Sequence, residues 1–62
     1  MWTVVYIAPS KKEAEKIRDL FTGEGLLVKL HLANTGISDH QAYEILVPEA
    51  EAEEAHKLLA AL

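Results

Sequence analysis

Three histidines are the first candidates for chemistry in this chain, because imidazole transfers protons near neutral pH and binds metal ions. They are His31, His40 and His56. No two of them stand four residues apart on one predicted element, the spacing with which a pair of histidines holds a zinc ion. We interpret them as isolated surface side chains and predict no metal site.

Asp39 beside His40 is the one acid and base pair that adjacent residues provide. Catalysis would also require a nucleophile fixed beside the pair and a cleft that excludes water, and the pattern supplies neither. The chain contains no cysteine, so it has neither a thiolate nor a disulfide. We therefore predict no catalytic residues, no cofactor and no enzyme activity, and the lack of disulfides favours a reducing compartment.

A second candidate is an anion site at Ser10, Lys11 and Lys12, where a predicted helix begins. Free backbone amides at a helix start attract anions, and two lysines would add positive charge. The simpler interpretation is a capping box, in which the Ser10 side chain accepts from the amide of Glu13. The lysines would then be solvated side chains, and the sequence leaves both interpretations open.

Charge narrows the range of partners. The formal net charge is −4, and four of the acids lie between Glu49 and Glu54, where negative charge suits the positive end of a helix. The alternative interpretation of this acidic run is a binding site for a basic partner. A negative chain is a poor match for nucleic acid or an anionic membrane, and the apolar run from Val4 to Ala8 is too short for a signal peptide or a membrane span. We expect a cytoplasmic protein.

The stretch from Trp2 to Gly25 predicts a strand, a helix and a glycine stop. Trp2–Ala8 is rich in β-branched and aromatic residues and is ended by Pro9. A helix should begin at Lys11 and end in a left-handed cap at Gly23 or Gly25. Its apolar residues recur at three- and four-residue spacing and form one stripe: Ala14, Ile17, Leu20 and Phe21.

The second half predicts two strands and a helix. Alternation from Leu26 to Leu32 predicts the second strand, and Tyr43 to Val47 predicts a short third strand that should be central. The connection from Ala33 to Gln41 is rich in turn-forming residues and exceeds the usual hairpin length. The last helix should carry a second apolar stripe: Ala52, Ala55, Leu58, Leu59 and Leu62.

These elements predict an α+β fold of the ferredoxin-like βαββα type, with residues 1–62 as a single domain. A right-handed crossover would make strands one and two parallel, with strand three antiparallel between them. The sheet order would then be 1-3-2, with both helices on one face. Strand one would have a free edge.

Several segments resemble a small bacterial family of signal-transducing proteins, a domain of unknown function with a ferredoxin-like, PII-like fold. The similar features are Val5-Tyr6 in the first strand, Glu24-Gly25 after the helix and a strand that ends Val47-Pro48-Glu49, and the match spans nearly the whole chain. Further matches are Glu13, Ala14, Ala55, Leu58 and Leu59. The resemblance implies ligand-dependent signalling or regulation and provides no catalytic residues.

A bare face of the sheet is the strongest predicted interaction site. If Thr3, Val5 and Ile7 face the helices, five apolar side chains share the opposite surface: Trp2, Val4, Tyr6, Leu27 and Leu46. Exposed apolar patches usually mark interfaces, and an unpaired strand edge is a template for a second chain. We therefore expect a homo-oligomer, most simply a dimer.

Two alternatives for this face remain. The tails of the chain and the long side chains of Lys29 and Glu44 could cover it in a monomer. Trp2 and Tyr6 could stack on RNA bases, as aromatics do on the sheets of some ferredoxin-like domains, but no ring of basic residues surrounds them and the net charge is negative.

Two functional hypotheses follow from the sequence. The first is a small binding or regulatory domain whose sheet face, or whose segment from Asn34 to Gln41, meets a small-molecule ligand or a protein partner. The second is a structural protein–protein interaction module without a ligand. We expect neither nucleic acid nor membrane as a partner.

Overall fold

A computed structural model describes residues 1–33 and 42–62 of the chain. It contains a strand β1 (Trp2–Ala8), a helix α1 (Lys11–Gly23), strands β2 (Lys29–Ala33) and β3 (Ala42–Pro48), a 3₁₀ turn (Glu49–Glu51) and a helix α2 (Ala52–Ala60). The predicted βαββα order is confirmed. The predicted connection from Ala33 to Gln41 lies, beyond Ala33 itself, outside the described residues, and so do Asp39 and His40.

The sheet has three strands in the order β1-β3-β2, as predicted. Both hydrogen-bonded pairs, β1 with β3 and β2 with β3, are antiparallel. The sequence predicted that strands one and two are parallel, but the described sheet contains no parallel pair. The two strands are not bonded to each other, because β3 lies between them and pairs with each in the antiparallel direction. The described sheet is an all-antiparallel one with β3 at its centre.

The helix α1 begins and ends as the sequence predicts. Ser10 is its N-cap, and the Ser10 side chain accepts a hydrogen bond of 3.2 Å from the backbone amide of Glu13. After the helix, Gly25 has a φ of 85°, a left-handed conformation that costs little for glycine alone. The chain turns there toward β2.

The second strand begins later than predicted. Alternation suggested a start at Leu26, but β2 covers only Lys29–Ala33. The backbone amide of Leu27 instead donates a 3.0 Å hydrogen bond to Oε1 of Glu51. This contact ties the segment before β2 to the turn before α2. Leu26, Val28 and Leu30 still pack against the core, although the ladder starts later than Leu26. Leu32, predicted for the same apolar face, is 42% exposed.

Both helices cover one face of the sheet and share one core with it. Ile17 and Phe21 of α1, Ala55 of α2 and Ile45 and Val47 of β3 are all buried in this cluster. Seven of the described residues are buried, and the largest of them are Phe21, Ile17, Ile45 and Val47. This is a small core, even for a short chain.

Candidate functional site

The face of the sheet opposite the helices is the candidate interaction surface, and we call it the open face. Paired residues in a ladder point to the same side of a sheet, so the register assigns each side chain to a face. Trp2 pairs with Pro48, Val4 with Leu46, and Ile7 with Glu44. On the other edge, Lys29 pairs with Leu46, and His31 with Glu44. These eight residues lie on the open face, together with the pair Ala33 and Ala42 at its end.

A β-bulge in β1 changes which residues lie there. The register shifts between Val4 and Tyr6, so that Tyr6 pairs with Ile45, a fully buried residue on the helix side. Val5 also packs against the core. Val5 and Tyr6 are successive residues that both face the helices. From Ile7 onward, each residue therefore lies on the face opposite to the one that regular alternation predicts.

The predicted facing of β1 is therefore wrong at two positions. Ile7 was expected to face the helices, but it lies on the open face and is 58% exposed. Tyr6 was expected on the open face, but it lies on the helix side at the sheet edge and is 38% exposed. Nothing in the run of Val5 and Tyr6 marks a bulge, because both residue types favour regular strands.

The other predicted interface residues lie as follows. Trp2 and Val4 are on the open face and are exposed. Leu46 is at the centre of that face, between Val4 and Lys29, and is half-buried. Leu27 precedes β2 and is 62% exposed. The structure places these side chains, while their role in an interface stays a prediction.

The two sides of the open face differ in polarity. The β1 side shows Trp2, Val4 and Ile7, all of them apolar. On the β2 side, Nδ1 of His31 lies 2.9 Å from Oε1 of Glu44, a hydrogen bond that becomes an ion pair when the imidazole is protonated. Polar groups therefore cover the β2 side but leave the β1 side apolar.

Lys29 is the one side chain that reaches across the open face. Its Nζ lies 5.7 Å from the centroid of the Trp2 ring, within the range of a cation–π contact. To reach that ring from β2, the side chain extends over β3, which lies between the two edge strands. This supports part of the predicted covering by Lys29, although Trp2 remains 43% exposed.

The predicted anion site is partly used by the helix cap. The Ser10 oxygen already accepts from the amide of Glu13, which matches the capping-box interpretation. Lys11 and Lys12 are exposed. An anion at this helix start stays a prediction that phosphate titration followed by amide shifts can test.

A groove that the sequence did not indicate lies on the helical layer. It has a volume of about 510 Å³, within the range of small-molecule sites. The residues that line it are Glu13, Lys16, Ile17, Asp19, Leu20 and Leu62. The spacing of the first five along α1 could have suggested a shared helix face, but the contribution of Leu62 depends on tertiary packing.

Two further observations concern the described part of the chain. Within residues 1–33 and 42–62, no three histidine or acidic side chains cluster so as to hold a metal ion. No helix of that part is long and apolar enough to cross a membrane.

Comparison with known proteins identifies no relative: no protein-family model, no curated protein and no solved structure matches this chain.

Proposed function

We propose that this protein is a small binding or regulatory domain that works as a homodimer, assembled through the edge of β1 or through the open face beside it. The observation that carries the proposal is the character of β1. All seven of its residues are uncharged, and no strand lies along its outer edge among residues 1–33 and 42–62. Such an edge is a template for a second chain.

The size of the core supports self-association. Seven buried residues provide a limited hydrophobic gain for a chain of 62 residues, and domains of this size commonly draw extra stability from oligomerisation. Burying the exposed side chains of Trp2, Val4 and Ile7 would add apolar contact at about 25 cal/mol per Å². Dimerisation would thus add to the folding free energy.

The distribution of charge favours the same region. Within the described residues, Lys29 and Glu44 are the only lysine, arginine or acidic residues in the three strands, and they have opposite signs. The excess of acids lies in the helices, the turns and the segments between them. Two chains of net charge −4 repel each other, and contact through β1 joins strands that carry no charge themselves.

Sedimentation velocity over a micromolar dilution series tests this proposal. We expect a species of twice the 6.9 kDa chain mass, which dissociates on dilution. A chain that remains monomeric at every concentration would refute the dimer.

Whether the domain also binds a ligand separates the two functional hypotheses. The groove beside α1 supports a ligand, because its volume suits a small molecule and Lys16 stands beside Glu13 and Asp19 in its wall. A ligand that binds only the folded state raises the melting temperature. Thermal-shift screening against nucleotides and metabolites should therefore yield a stabilising compound for a regulatory domain and none for a structural module.

Leu20→Trp is a suitable variant for that screen, because Leu20 lines the groove and the larger ring would fill it while the sequence of β1 stays unchanged. A compound that binds in the groove should lose its thermal shift in this variant, while the dimer should persist. The resemblance to signal-transducing proteins supports a regulatory role. The cytoplasmic location and the lack of catalysis remain predictions from the sequence.

A further inference from the structure

The bulge in β1 determines what kind of strand can pair with it. Thr3, Val5, Tyr6 and Ala8 lie on the helix side, and Trp2, Val4 and Ile7 lie on the open face. Opposed residues in a ladder must point to the same face. A regular strand can follow β1 past the bulge only where one of its residues opposes two residues of β1, as Ile45 of β3 does at Val5 and Tyr6.

A second copy of β1 carries the same irregularity and can therefore match it throughout. We propose that two copies pair β1 against β1, antiparallel about a two-fold axis, with Val4 opposite Ile7 and Val5 opposite Tyr6 of the partner copy. In this register Thr3 meets Ala8. Every pair joins side chains of the same face, and the axis passes between Val5 and Tyr6.

Neighbouring registers fail the same requirement. A shift of one residue in either direction places helix-side residues opposite open-face residues, for example Thr3 opposite Ile7 or Val5 opposite Ile7. A shift of two residues sets Val4 against Val5, or Tyr6 against Ile7, near the axis. Because a closed two-fold interface requires antiparallel strands, one register remains among those that pair β1 over most of its length.

This pairing also accounts for the exposure of Tyr6. A tyrosine on the helix side would normally be covered, yet its ring is exposed at the sheet edge. In the dimer it lies beside Val5 of the partner copy, whose side chain already packs against the core. Aromatic and β-branched side chains form favourable cross-strand pairs.

The resulting sheet has six strands in the order 2-3-1-1-3-2. The apolar parts of the two open faces join across the axis as one strip that contains Trp2, Val4 and Ile7 of both copies. The polar β2 sides, with Lys29 and the contact between His31 and Glu44, flank that strip.

This inference rests on the proposed dimer, and cysteine cross-linking distinguishes a failure of the register from a failure of the dimer. The chain has no cysteine of its own, so any disulfide in a variant must involve the introduced cysteine. Val4→Cys and Ile7→Cys replace exposed side chains. Facing residues in a ladder are close enough for a disulfide, whereas the same residue in the two copies is too far from itself in this register.

We expect an oxidised dimer from a mixture of Val4→Cys and Ile7→Cys, and little from either variant alone. The controls are each variant alone, which would cross-link to itself in a register centred on Val4 or on Ile7, and Leu46→Cys, which would do so if the open faces stacked. A dimer that cross-links as strongly through a control as through the mixture would overturn the register but leave the proposed dimer intact. A monomer by sedimentation would overturn both. Far-ultraviolet circular dichroism should show that each variant is folded.

Discussion

The two edges of the sheet pack on the same core through the same central strand, yet they differ in what they present to a second chain. The β1 edge has seven residues without a charge, and the β2 edge has five residues with Lys29 and His31 among them. Natural sheets protect their edges with lysines, other charges and bulges. The β2 edge is therefore protected by charge, whereas the β1 edge has only a bulge.

A bulge and a charge protect an edge in different ways. A lysine on an edge strand opposes any apolar strand that would bury it, because the charge would lose its hydration. A bulge interrupts the regular pairing of an edge but adds no charge, so a strand with the same irregularity can still match it residue for residue. The β1 edge is therefore less protected than the β2 edge, and the predictions that change charge on β1 and β2 test this difference.

The largest expected effect comes from adding charge to β1. Val4→Lys should weaken the dimer by at least about tenfold, or about 1.4 kcal/mol, because each copy would bring a lysine into the pairing. Leu32→Lys is the matched control, since Val4 and Leu32 are both 42% exposed on edge strands. Sedimentation equilibrium should show a loss for the first variant only. Equal losses in both would contradict the difference between the edges.

Removing the charges from β2 should have the next largest effect. With Lys29→Val and His31→Val combined, each dimer would have two open apolar edges and should grow into larger assemblies, because edge contacts that do not close propagate. Light scattering against time measures this growth. Adding Val4→Lys to the same chain should end the growth at dimers, and continued growth would show that β1 plays no part.

A smaller effect is expected at Ser10, which separates β1 from α1. Ser10→Ala should cost about 1 kcal/mol of folding free energy, because the amide of Glu13 would lose its acceptor. Ser10→Asp should restore most of it, since aspartate also caps helices. Urea unfolding in the Val4→Lys background measures the change without dimerisation. If alanine and aspartate behave alike, the capping account fails.

The smallest effect concerns the polar contact on the β2 side of the open face. Glu44→Gln should cost no more than about 1 kcal/mol, because the bond between His31 and Glu44 is largely exposed. The same unfolding assay measures this cost. The dimer affinity should not change, and a marked loss of affinity would indicate that the open faces stack instead.

Much of the fold could be predicted from local patterns. Trp2–Ala8 is the strand that its composition indicates, the Ser10 cap sets the start of α1, and Gly25 takes the left-handed conformation after it. In each case the determining interaction lies within a few residues along the chain. Periodicity likewise found the buried stripe of α1, in which Ala14, Ile17 and Phe21 are buried.

The features that were missed depend on contacts between distant residues. The bulge arises where Val5 and Tyr6 meet Ile45, and neither residue type signals it. The late start of β2 depends on the bond from Leu27 to Glu51. These two contacts changed the candidate site, since they exchanged Tyr6 for Ile7 on the open face and placed Leu27 outside the ladder.

Amide hydrogen exchange, followed by mass spectrometry or NMR at several protein concentrations, tests the central claim most directly. It reads both edges of one unmodified protein in the same sample. The account predicts that amides of Trp2–Ala8 become more protected as concentration rises through the dimer transition, while those of Lys29–Ala33 do not change. Protection that rises equally on both strands, or on neither, would contradict it.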